Sequence, residues 1–118
     1  MQFAILIYSS EEAMLKADPA SKQAMLAAYQ SYTQALQSAG ILLGWNRLRP
    51  TASATTVRIA DGKTQVLNGP FADTREQLGG FYLIDVADLD TAINWGARCP
   101  SAAVGTIEVR PVWDPKDY

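Results

Sequence analysis

The sequence contains no histidine and a single cysteine in 118 residues. Without imidazole it lacks the commonest metal ligand and the usual acid and base of neutral-pH chemistry. One cysteine excludes an intrachain disulfide and a thiolate metal cluster, so no metal or other cofactor is expected. Charge of one sign is also scarce: ten Lys and Arg face twelve Asp and Glu, a net charge of −2. A nucleic-acid partner met through a basic face is therefore not expected. Long hydrophobic runs are missing too. Met1 to Tyr8 is apolar but short, without a basic flank or a cleavage site. It is neither a signal peptide nor a membrane span, which needs about 20 apolar residues. A cytoplasmic location with no membrane partner is the expectation. There is no glycine-rich phosphate loop or calcium loop, and Trp45, Trp95 and Trp113 are too scattered for a base-stacking platform.

What is present is ordinary for a globular chain: 48% hydrophobic and 19% charged residues. The length suits one domain over 1–118. Phe3-Ala4-Ile5-Leu6-Ile7-Tyr8 is a continuous apolar run that reads as a strand buried on both faces. Asp18-Pro19 is a helix start, Met25, Tyr29, Tyr32 and Leu36 recur at helical spacing, and Gly40 stops the helix. Ile41 to Leu48 resumes as a strand, putting Arg47 and Arg49 on one face, where they either receive an anion or guard a sheet edge. Thr55–Ile59 and Thr64–Leu67 flank Asp61-Gly62, the signature of a tight hairpin turn. Asn68 to Gly80 reads as irregular, with Gly79-Gly80 as breakers. Phe81 to Val86 is a second apolar strand. Asp88 caps a second helix whose stripe is Leu89, Ala92, Ile93, Gly96 and Ala97, and Ile107 and Val109 alternate with polar residues in a last strand.

Setting the hairpin aside leaves βαββαβ, an α+β plan of the ferredoxin-like kind with an inserted β-hairpin. In that plan the first and third core strands are central, which matches the two runs that are apolar on both faces. Both helices cover one sheet face. The other face then carries apolar side chains from the central strands, an uncovered patch at the limit a monomer tolerates. The expectation is a homodimer through the open sheet face, an assembly of the dimeric α/β-barrel type. The alternative is that the hairpin folds over that face within one chain.

The polar stretch from Asn68 to Phe81 is where chemistry is most expected, because long loops in compact domains are often functional. Asn68, Phe71, Arg75 and Glu76, with Arg110 on the last strand, are the candidate ligand-binding residues. Glu76, Asp73 and Glu108 are the candidate catalytic carboxylates. The plain alternatives are a structural Gly69-Pro70 turn, solvated Arg75 and Glu76, and a surface ion pair of Glu108 with Arg110. Cys99, beside Pro100 and without a histidine base, reads as a packed small residue.

Asn68-Gly69-Pro70-Phe71, Ala72 through Phe81, and Ile84-Asp85-Val86 together resemble the DGPF-domain branch of the YCII-related family. The tail from Ala97-Arg98-Cys99-Pro100 to Glu108-Val109-Arg110-Pro111 is similar to that family's C-terminal pattern. The resemblance implies a dimeric ferredoxin-like α+β fold over essentially the whole chain, and no known reaction. Genes of this branch often lie beside extracytoplasmic-function sigma factors, which implies a regulatory or sensing context. Two departures bear on mechanism. Asn68 stands where the signature usually has Asp, and the His–Asp pair associated with enzymatic YCII-like proteins has no histidine here. Two readings follow. One is a small dimer that binds a small organic ligand in a cleft near the Asn68–Phe71 loop. The other is a cofactor-independent enzyme (isomerase, lyase or small oxygenase type) with a carboxylate base raised by burial and Arg75 or Arg110 facing a developing oxyanion.

Overall fold

A computed structural model describes residues 1–118. Strand β1 spans Gln2–Ser9, and its burial alternates: Phe3, Ile5 and Ile7 are buried, while Ala4, Leu6 and Tyr8 are half-buried. A short helix α1, Glu11–Lys16, follows, capped by the Ser10 hydroxyl accepting from the Ala13 amide. No element was expected between the first strand and Asp18. Six residues carry no periodicity, and tertiary contacts hold the helix: the Glu11 carboxylate accepts from the Thr51 amide at 2.8 Å and from the Thr51 hydroxyl at 2.7 Å. Helix α2, Pro19–Ser38, starts at the Asp18 cap and buries Tyr32 and Leu36. Gly40 leaves it with φ 71°, the left-handed turn expected after a helix end.

Strand β2, Leu42–Arg47, has an irregularity at Leu43 and ends before Arg49, so Arg49 does not share a strand face with Arg47. The hairpin is β3, Thr55–Ala60, and β4, Lys63–Asn68. Its turn residues have φ 52° at Asp61 and 74° at Gly62, as a two-residue turn with positive φ requires. Strand β5, Gln77–Asp85, begins four residues earlier than the apolar run suggested, and Gly79-Gly80 lie inside it instead of breaking it: Gly80 stands opposite Ile7 and Arg47, and Gly79 is the extra residue where the register against β1 shifts. Helix α3, Leu89–Arg98, is capped by Asp88 and buries Ala92 and Gly96. Its apolar stripe is rotated from the expected one: Leu89 and Ile93 are each 47% exposed, and Trp95 and Cys99 turn toward the core instead. At Gly96 a methyl group would stand 3.0 Å from Val109 Cγ2, so glycine permits the close seating of α3 on the last strand, β6, Thr106–Pro111.

The main sheet runs β2-β5-β1-β6, and every pairing is antiparallel. β1 and β5 are central, as their apolar runs indicated. The order is consistent with a ferredoxin-like fold. Phe3, Ile5, Ile7, Tyr82 and Ile84 meet Tyr32, Leu36, Ala92 and Cys99 to form one core between sheet and helices. Only 13 of the 118 residues are buried, because the second sheet face has no layer over it. The hairpin forms a separate two-stranded sheet. Ile59 on one of its faces is 75% exposed and Leu67 on the other 59%, so it does not roof the open face.

Candidate functional site

Alternation decides what the open face displays. With Ile107 and Val109 packed on the core, Thr106, Glu108 and Arg110 of β6 point to the other side. The register sets Leu6 between Glu108 and Phe81, and Ala4 between Arg110 and Leu83. Tyr8 lies opposite Thr106. A polar strip on β6 thus borders an apolar patch of Ala4, Leu6, Phe81 and Leu83.

Within the strip each Glu108 carboxylate oxygen has its own donor. The Tyr8 hydroxyl donates to Oε1 at 3.4 Å, and Arg110 Nη2 donates to Oε2 at 2.9 Å. The hydrogen bond and charge of Glu108 push the Arg110 guanidinium further up, so it stays cationic at any working pH. The Glu108 side chain is 40% exposed and that of Arg110 65%. Such a pair is worth little while water surrounds it. At the end of the strip, the Thr106 hydroxyl donates to Glu76 Oε1 at 2.7 Å, which ties the last loop residue before β5 to β6.

The predicted site residues divide into two groups. Glu76, Glu108 and Arg110 come together along one margin of the open face. Asn68 ends β4 and is exposed, Phe71 is 83% exposed, and Asp73 and Arg75 stand out from the loop. No hydrogen bond or ion pair links the side chains of these four to the strip. The loop is shaped by its own contacts: the Thr74 hydroxyl donates to the Glu76 carbonyl, and the Gln77 amide donates to the Thr74 carbonyl. Tyr8 and Thr106 belong to the site although sequence reasoning did not select them. The signal for them is the register of β1 against β6, a pairing across about a hundred residues that local pattern does not contain. Arg47, read as a possible anion receiver, instead reaches Met14 Sδ at 3.6 Å.

A second polar cluster lies in the core, under α2. The Tyr29 hydroxyl meets Ser101 Oγ at 2.5 Å and Cys99 Sγ at 3.6 Å, and the Tyr32 hydroxyl donates to the Trp95 carbonyl at 2.8 Å. Burial pushes the Cys99 thiol up, away from the reactive thiolate. Cys99 is 2% exposed and packs as a small hydrophobe. No group of three or more Cys, Asp or Glu is placed to hold a metal ion. No helix is long and apolar enough to cross a membrane.

The model of the YCII-related domain matches residues 1–116, a span that includes the hairpin, the loop and the strip. The chain belongs to the YCII-related family. An uncharacterized protein of Rhizobium meliloti (strain 1021) is 37% identical over 114 residues, covering 95% of this chain and 92% of the relative. The match runs nearly end to end in both.

Proposed function

We propose that this YCII-related chain acts as a homodimer that binds a small organic ligand beside the open sheet face. The Asn68-Gly69-Pro70-Phe71 segment supports a place in the DGPF branch, with Asn where the signature has Asp. The observation that carries the functional reading is Glu108, held by Tyr8 and Arg110 at the edge of an uncovered apolar patch. A second sheet face laid over that patch turns the exposed pair into a few oriented polar groups against an apolar wall, the usual form of a small-ligand site. Arg110 spends one N–H on Glu108 and keeps others for a carboxylate or carbonyl oxygen of the ligand. In this reading the loop from Asn68 to Glu76, tied to the margin only by the Glu76–Thr106 bond, forms the outer wall, and the exposed Phe71 closes on the ligand.

The enzyme reading has less support. A carboxylate base needs an oxygen free to reach the proton it takes. Glu108 instead has a guanidinium on one oxygen and a phenol on the other. Glu76 accepts from Thr106. Native mass spectrometry after mild purification tests the proposal. The expected result is a dimer carrying a small-molecule adduct, with Arg110→Ala remaining dimeric but losing the adduct. A bare monomer at micromolar concentration rejects it.

A further inference from the structure

The hairpin β3–β4 poses a problem that the ligand site does not answer. Two isolated strands are marginal in water unless one face is covered. Here Val57 stands directly opposite Val66, with Ile59 opposite Thr64 on the same face. Val57, Ile59 and Val66 are 60%, 75% and 60% exposed. The other face carries Thr56, Arg58, Lys63 and Gln65 around Leu67. The hairpin is therefore amphipathic, and its apolar side faces solvent.

Its base is nevertheless firmly directed. The Gly69 amide donates to the Ala54 carbonyl at 2.7 Å, and the Thr56 hydroxyl donates to the Gly69 carbonyl at 2.8 Å. Thr51, just before the hairpin, is held by Glu11 through both its amide and its hydroxyl. The radius of gyration is 16.4 Å, against about 13–14 Å for a compact chain of this length. The hairpin projects as an arm.

We infer that this arm packs the face of Val57, Ile59 and Val66 onto a second copy of the same chain, extending the contact made by the open sheet faces. The inference rests on the dimer proposed above. Two observations select a second copy as the occupant. Each arm offers about 300 Å² of apolar surface, at about 100 Å² per side chain. Two arms and the surfaces they cover then amount to about 1,200 Å², the lower bound for a stable specific interface. The partner brings its own uncovered apolar patch of Ala4, Leu6, Phe81 and Leu83, so a two-fold axis covers both kinds of surface at once and closes the assembly.

The test uses the full chain. The triple substitution Val57→Thr, Ile59→Thr and Val66→Thr keeps β-branched shape and strand preference while removing apolar contact. Sedimentation equilibrium is expected to show the dimer Kd raised about 100-fold or more, with the thermal melt of the core retained. An unchanged Kd, in a protein whose dimer Leu83→Glu still breaks, overturns the arm and leaves the sheet-face dimer standing. A monomeric wild type overturns both. Amide exchange on the wild type decides even if the triple variant misfolds. Protection over Thr56–Leu67 that falls on dilution through the dimer Kd supports the arm, and protection that ignores dilution overturns it.

Discussion

A methyl group on Gly80 would stand 2.7 Å from the Asn46 carbonyl oxygen and 3.4 Å from Arg47 Cα on the neighbouring strand. Backbone cannot swing aside as a side chain can, so β2 and β5 have to part. Gly80→Ala is expected to lower stability by about 1–3 kcal/mol, seen as a lower urea midpoint with an unchanged slope. Gly79→Ala is the control, since its added carbon meets nothing closer than the Ile7 carbonyl at 4.0 Å. The two adjacent glycines show why local pattern misplaced this strand's start. Glycine ordinarily marks a break, and only the approach of β2 makes Gly80 a requirement of the sheet. Glu108 and Arg110 were legible as a pair on one face from their spacing. The donation from Tyr8 was not, because it needs β1 and β6 side by side.

At the scale of elements, α2 is fastened to what lies beneath it by phenols. Tyr29 and Tyr32 descend from α2, the Tyr82 hydroxyl on β5 meets Thr33 Oγ1 at 2.6 Å, and the rings of Tyr32 and Tyr82 meet edge to face at 5.2 Å. Burial is the first cause raising all three above the ordinary tyrosine value of 10.0. A native value above the unfolded one means the native state keeps protons that the unfolded chain releases. This contribution is intact below pH 10 and declines as pH rises beyond it. Alkaline titration is therefore expected to show these three phenols ionising above the usual range, with absorbance near 295 nm rising as near-ultraviolet dichroism is lost. Three phenolates appearing at the ordinary value in a folded chain would contradict it. The helix itself was readable from Asp18-Pro19, its tyrosine spacing and Gly40. Helix α1 was not, since six residues are too few to show a period and its anchor, Thr51, lies forty residues away.

At the scale of the molecule, the helices occupy one side of a four-stranded sheet and nothing in the chain occupies the other. That asymmetry is the basis of the proposed dimer. Leu83→Glu places a carboxylate in the middle of the open face, on the side away from the core. An unpaired charge buried in an interface costs about 3–5 kcal/mol. Sedimentation is accordingly expected to show association weakened at least about 100-fold, while circular dichroism of the variant matches the wild type. Retention of a tight dimer would place the interface elsewhere.

The sequence by itself determined the order of the strands and of the two longer helices, the central position of the two apolar runs and the hairpin turn. These follow from periodicity and from residues whose backbone preferences act over a few positions. It also determined what chemistry is unattainable, since a chain without histidine and with one cysteine has no imidazole base and no thiolate cluster. Only the tertiary structure decided which face of β1 meets the helices, that β5 begins at Gln77, and that Tyr8, Glu76, Glu108 and Arg110 share one margin. The physical reason is one of range. Alternation says that two faces exist, but the choice between them is made by the whole core at once, through pairings between residues that are far apart in the chain.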